Sequence, residues 1–318
     1  MNSPLIVILG PTASGKTHIA TRVAYELHGE VLSADSRQVY KNMDIGTGKD
    51  LGEYVVNGQS IPYHLINIRE AGEQYNVNDF QQDFEVAYHQ ILARQRYPIL
   101  CGGTGFYIHS LLKGHAYAAI PVNEPLREEL ENLPAETLLA RFQRMHSAYH
   151  DVADTSTRKR LIRAIEIAQF LSNEPGRGAE FANDESKYEP IIFGLNPPIE
   201  VRRECITRRL NERLKNGLVE EVQQLLNIGL TAEQLIYYGL EYKFVTQYLT
   251  GESDYVTMHA RLETEIHRFA KRQMTFFRKM EKDGLVINWL LDDWSETEKI
   301  RFISEKYQEL KDGFSGIK

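Results

Sequence analysis

Cysteine is almost missing. The 318 residues include only Cys101 and Cys205, too few for a disulfide framework and too far apart for a cysteine-rich zinc site. A reducing compartment is therefore expected. Long apolar runs are missing as well: the first, Leu5 to Leu9, stops at Gly10 and Pro11, short of the roughly 20 residues a membrane helix needs. The first residues show neither a charged leader nor a cleavage signal, so a cytoplasmic protein without a membrane partner is expected. There is no basic excess either. The formal charge of −7 argues against a protein that coats nucleic acid without specificity.

What is present describes a globular protein. Apolar residues make up 42% and charged residues 25% of the chain, which excludes disorder as the main state. The length suits two packed units, or one large unit with an insertion. Basic charge is clustered in the C-terminal half. His267 to Lys279 holds five Lys or Arg and no acid, and Arg202 to Lys215 holds six against Glu204 and Glu212.

Leu5 to Leu9 is a short apolar run rich in β-branched residues, the pattern of a strand buried on both faces in a parallel sheet. Helical spacing follows in Ile19, Val23, Ala24 and Leu27, then a strand over Val31 to Ala34. A helix over Phe80 to Leu92 leads into a strand over Ile99 to Cys101. This alternation predicts a doubly wound α/β sheet. From about Glu124 to Phe170 helical periodicity dominates, predicting an all-helical insertion of residues 114–187 in a core of residues 1–113 and 188–318. After a Gly, Pro and acid-rich stretch from Asn173 to Pro190, a strand over Ile191 to Leu195 returns to the sheet. Helices over Ile199 to Asn216, Leu218 to Leu226 and Val256 to Met280 precede a final strand near Ile287 and a last amphipathic helix. No internal repeat is found.

The strongest chemical signal is Gly10-Pro11-Thr12-Ala13-Ser14-Gly15-Lys16-Thr17, a complete GxxxxGK[ST] phosphate loop between a strand and a helix. Its backbone N–H groups, the helix N-terminus and Lys16 together predict a polyphosphate ligand. Thr17 is the expected ligand of Mg²⁺. The loop alone does not distinguish transfer, hydrolysis or release of phosphate.

Ser33 to Tyr40 follows the second strand, so Asp35 is expected at the sheet edge facing the phosphate loop. A carboxylate there is either a base or metal ligand, or simply a helix N-cap. Gly102-Gly103-Thr104-Gly105 ends the next strand, where many P-loop ATPases place an acid. None is present, which weakens a motor or hydrolase reading. Thr104 either bonds a ligand oxygen or sits in a tight strand-to-helix turn. Two segments, Arg158-Lys159-Arg160-Leu161-Ile162-Arg163 and Phe269 to Arg278, alternate cations with apolar residues at helical spacing. Each is either a solvated face or a nucleic-acid phosphate contact, and the lack of acids near the second favours contact. His64, His109 and His115 lack a metal-ligand spacing and read as structural or surface residues.

GPTASGKT at Gly10 to Thr17, SADSRQVYKNMDIGTGK at Ser33 to Lys49, PYHLIN at Pro62 to Asn67, GGTGFYI at Gly102 to Ile108 and AKRQMTFFR at Ala270 to Arg278 resemble, in order and spacing, the tRNA dimethylallyltransferase family. The likeness extends over nearly the whole chain. It implies transfer of the dimethylallyl group of dimethylallyl diphosphate to N6 of adenosine 37 in the tRNA anticodon stem-loop, with Mg²⁺ and a monomeric enzyme. It further implies that Gly10 to Thr17 bind diphosphate, that Asp35 is the base, and that Thr104 and Arg209 contact the leaving group. Asp35, Ser36, Arg37 and Gln38 with Thr104 would meet the flipped-out base. Arg158, Lys159, Arg160, Arg163, Lys271, Arg272, Gln273 and Arg278 would contact tRNA. The chain departs from the family pattern at Asp154 to Thr157, Cys205, His267 and Phe276, none of them in the phosphate loop. Rival readings are a small-molecule P-loop kinase using ATP, an isopentenyltransferase acting on free adenine nucleotides, and a non-catalytic RNA-binding protein.

Overall fold

The computed structural model describes residues 4–114, 117, 120–147, 149–150, 153–174 and 188–315. His115 and residues 175–187 of the Gly, Pro and acid-rich stretch lie outside these. The chain divides into two units, Met1–Leu112 with Lys187–Lys318, and Lys113–Ser186.

The first unit is built on a parallel sheet. In chain order its elements are β1 (Pro4–Leu9), α1 (Lys16–Leu27), β2 (Gly29–Ser33), a small hairpin of β3 (Val55–Val56) and β4 (Gln59–Ser60), β5 (Tyr63–His64), α2 (Val77–Ala93), β6 (Tyr97–Gly102) and α3 (Gly105–Lys113). The chain returns from the second unit at β7 (Glu189–Leu195) and continues through α7 (Ile199–Lys215), α8 (Leu218–Asn227), α9 (Ala232–Tyr237), α10 (Leu240–Leu249), α11 (Tyr255–Lys282), β8 (Ile287–Leu290) and α12 (Glu296–Ser315). The six-stranded order is β5-β2-β6-β1-β7-β8, and every pairing in it is parallel. This is the doubly wound α/β class that the alternating pattern predicts.

The period of a strand explains the layering. Leu5, Val7 and Leu9 enter one apolar cluster, shared with α2, α3 and α7 to α11, while Ile6 and Ile8 enter the other, shared with α1 and α12. Both faces of β1 are therefore covered, as its unbroken apolar run requires. Asn76 caps α2 with a reciprocal capping box involving Asp79, which fixes where that helix starts. The structure adds the hairpin and the edge strand β5, each strand two residues long. Segments this short leave no periodic trace in the sequence.

The second unit contains α4 (Glu124–Glu131), α5 (Ala135–Gln143) and α6 (Arg158–Asn173), and its described residues include no strand. Leu126, Leu130, Leu138, Phe142, Leu161, Ile162 and Ile165 form its core. Glu166 is buried there and held by both arms of the Arg127 guanidinium at 2.9 and 3.0 Å. Bidentate pairing is what makes a buried carboxylate tolerable. No described helix of either unit is long and apolar enough to cross a membrane.

Candidate active site

β2, β6 and β1 are neighbours in the sheet, so the loops at their C-terminal ends converge. The loop after β1 is the phosphate loop. Ala13 and Gly15 take left-handed φ values of 58° and 81°, which turn successive N–H groups toward one concavity. Lys16, the first residue of α1, is half-buried and its ammonium donates to the Pro11 carbonyl at 3.3 Å. Burial holds the Lys16 pKa below the usual lysine range; Asp35 and Asp50 nearby oppose that shift, and Arg209 adds to it. The Ser14 hydroxyl is buried and finds no hydrogen-bond partner among the described residues. A glycine loop opening a helix, with a half-buried cation and an unsatisfied buried hydroxyl, is chemically an anion receptor.

The loop after β2 carries Asp35. No helix follows it: residues 36–39 are turns, and Asp35 Oδ1 accepts the Arg37 N–H at 2.9 Å to close an Asx turn. The N-cap alternative for Asp35 is therefore set aside. The loop after β6 is locked to this one. Thr104 N–H donates to the Ala34 carbonyl at 3.2 Å, and the Thr104 hydroxyl accepts the Ser36 N–H at 3.2 Å. Gly102 is required where the two strands end, since a Cβ there would lie 2.2 Å from the Ala34 carbonyl oxygen. Thr104 thus forms the strand-to-helix turn and also presents its hydroxyl beside Asp35. Below these loops Cys101 is buried, its thiol pushed up to about 11 mainly by burial.

Arg209 reaches this region from α7. Its guanidinium donates to the Gly48 carbonyl at 3.3 Å and pairs with Asp50. The Gly48 carbonyl also accepts the Gln38 amide at 3.1 Å, while the Gln38 oxygen accepts the Ser33 hydroxyl at 2.8 Å. The Gly48 segment is fastened from α8, where Glu221 accepts the N–H groups of Asp44, Ile45 and Gly46 at 2.7, 2.7 and 2.9 Å. Asp50, Gly48 and Glu221 escape a sequence reading because their importance lies only in what they hold in space.

Gln273 takes a different place from the one expected. The family resemblance groups it with the cations as an RNA contact, yet it is buried, accepts the Thr12 N–H at 2.8 Å and donates to the Gly103 carbonyl at 2.8 Å. Both ends of its amide are thus used to join the phosphate loop to the glycine loop. Lys271, Arg272 and Arg278, on the same helix, are exposed and pair with no acid among the described residues.

In the second unit, α6 splits similarly. Arg158 donates to the carbonyls of Leu130, Glu131 and Leu133 at 3.2, 2.6 and 2.7 Å, closing the C-terminal end of α4. Arg163 is half-buried and donates to the carbonyls of Tyr117, Ile120 and Pro121. These two are occupied inside the unit. Arg160 binds Ser156 and Asp154 at the surface, and Lys159 is exposed. His64 and His109 serve structural ends, pairing with Glu30 at 2.7 Å and Asp283 at 2.9 Å. The described residues include no cluster of three metal-ligating side chains.

A family model described as IPP transferase matches residues 38–280, and one described as isopentenyl transferase matches residues 3–62. A curated relative from Porphyromonas gingivalis, named tRNA dimethylallyltransferase 2, is 51% identical over 286 residues, covering 90% of this chain and 93% of its own. The solved tRNA isopentenylpyrophosphate transferase of Staphylococcus epidermidis is 29% identical with a TM-score of 0.67, over 96% of this chain and 99% of that one. A eukaryotic dimethylallyltransferase whose structure is described as acting on tRNA aligns with a TM-score of 0.75 over 91% of this chain and 74% of that one. At 22% identity it shows the fold alone.

Proposed function

The chain belongs to the IPP transferase family, and from that premise we propose how its pocket works. It is an enzyme that transfers a dimethylallyl group to tRNA. The donor in this reading is dimethylallyl diphosphate and the acceptor is N6 of adenosine 37. The N6 nitrogen bonds to the allylic carbon, the carbon–oxygen bond breaks, diphosphate departs, and the proton lost from N6 passes to Asp35.

The observation that carries this reading is the convergence of an anion receptor and a carboxylate: neighbouring strands β1, β2 and β6 bring the phosphate loop with Lys16, the loop of Asp35 and the Thr104 loop bonded to it to one sheet edge. An allylic carbon becomes electrophilic as diphosphate leaves, so stabilising the departing charge is the main task. Lys16, the loop N–H groups, the Ser14 hydroxyl and Arg209 supply that stabilisation. Thr104, already bonded beside Asp35, orients the loop around the reacting atoms.

The residues fit a magnesium ion. Thr17 follows Lys16 in the phosphate loop and offers a hydroxyl, the hard oxygen donor that magnesium takes. Thr17 would hold the ion, which would supply further neutralisation of the diphosphate oxygens. The exposed cations of α11 favour an RNA acceptor over a free nucleotide, since only a polyanion uses them. The reading includes a monomer working in the cytoplasm.

The test is mass spectrometry of nucleosides from unmodified tRNA incubated with the protein, Mg²⁺ and dimethylallyl diphosphate, beside a reaction given ATP instead. Prenylated adenosine at position 37, dependent on the prenyl donor, is the expected result. Its absence, with phosphate transfer in the ATP reaction, would turn the reading to a kinase.

A further inference from the structure

Tyr238 and Tyr237 end α9 side by side but face opposite ways. Tyr238 is buried, packs edge-on to Tyr40 with ring centroids 4.5 Å apart, donates to the Glu73 carbonyl at 3.1 Å and accepts the Gly72 N–H. With that side chain pinned inward, its neighbour is turned out, and Tyr237 is 46% exposed. The Arg37 guanidinium lies over the Tyr237 ring, 4.8 Å from its centroid. Arg37 pairs with no carboxylate among the described residues, while its backbone N–H is fixed on Asp35 Oδ1 at 2.9 Å. Gly239, next in the chain after Tyr238, takes a φ of 127°, a backbone conformation that glycine allows.

An unpaired guanidinium stacked on an exposed aromatic ring, held at the rim of a catalytic carboxylate, is a preformed pair of π surfaces. Unpaired RNA bases are recognised by stacking on such aromatic and guanidinium planes. We propose that Arg37 and Tyr237 form a stacking site for the nucleobase adjoining the target adenosine, keeping that neighbour splayed while the adenosine occupies the pocket beside Asp35. The site takes an unstacked nucleobase of single-stranded RNA. This deepens the function proposed above and rests on it. Because Tyr238 rather than Tyr237 anchors α9, replacing Tyr237 leaves the fold intact.

The test uses the full chain and an unmodified anticodon stem-loop RNA carrying 2-aminopurine at the position next to the target. Binding to the unsubstituted protein changes the probe's fluorescence as the base leaves its stack and settles on the rings. In Tyr237→Leu that fluorescence response is lost and RNA affinity falls by about 5-fold to 100-fold, while KM for dimethylallyl diphosphate is unchanged. Tyr237→Phe restores both, because stacking needs the ring and not the hydroxyl. Unaltered fluorescence and affinity in Tyr237→Leu, or failure of Tyr237→Phe to restore them, would overturn the proposal. If the unsubstituted protein itself yields no prenylated RNA, the underlying functional reading has failed instead, and the two failures are distinct.

Discussion

Gln273, on the long helix α11, accepts the backbone N–H of Thr12 at 2.8 Å across 261 residues of sequence. With its second bond to the Gly103 carbonyl it fixes the distance between the loop that receives phosphate and the loop that carries Thr104. One neutral side chain thus ties two of the loops at the site together. Glutamine suits the task because it offers both an acceptor and a donor at the tip of a long stem.

Replacing Gln273 with Leu leaves the Thr12 N–H and the Gly103 carbonyl unpaired. A buried orphan costs about 1 to 3 kcal/mol, so thermal unfolding should occur at lower temperature and the KM for the prenyl donor should rise. Gln273→Glu keeps the bond from Thr12 and loses the one to Gly103, and its KM should fall between the other two. Equal donor KM in all three proteins would show that the bridge does not shape the pocket.

Lys16 gives a pH dependence with a definite sign. Burial depresses its pKa in the free chain, and a diphosphate anion beside it raises that pKa again. Donor affinity is therefore full at pH values below the free-chain pKa of Lys16. It weakens as pH rises through that value, because binding must then take up a proton. Calorimetric titration of the donor against pH should show this decline, and Lys16→Ala should bind weakly with the decline removed. An identical pH profile in Lys16→Ala would assign the dependence to another group.

The cations divide into those that meet RNA and those that hold the protein. Replacing Lys271, Arg272 and Arg278 with Ala should make the dependence of log affinity for tRNA on log salt shallower by about 2 to 3, at roughly 0.7 to 0.9 for each phosphate no longer neutralised. Arg158→Ala should instead lower the unfolding temperature, since the Glu131 and Leu133 carbonyls at the end of α4 lose their donor, and leave the salt slope alone. A filter-binding series at several salt concentrations checks both, and an altered slope in Arg158→Ala would place that residue on the RNA.

Much of the architecture is legible in the sequence because its signals are local. The β-branched run of Leu5 to Leu9, the glycine punctuation after it and the capped amphipathic helices announce a parallel sheet, and the rule that loops at strand ends surround the ligand brings Gly10 to Thr17, Asp35 and Thr104 together. What escapes depends on contacts between distant segments. Alternating cations and apolar residues look the same whether the cation faces solvent, as Lys271 does, or closes a neighbouring helix, as Arg158 does. The role of Gln273 is hidden for the same reason: nothing nearby in sequence signals that α11 passes behind the phosphate loop. Asp35 stays ambiguous until the turn at residues 36–39 shows that it caps no helix.

The account stands on Asp35 as the group that takes the proton from N6. Rapid-quench single-turnover measurement with unmodified tRNA and dimethylallyl diphosphate, comparing the unsubstituted protein with Asp35→Asn, tests this most directly. The account predicts a rate lower by about 10² or more with tRNA affinity near normal. A single-turnover rate unchanged in Asp35→Asn would contradict it.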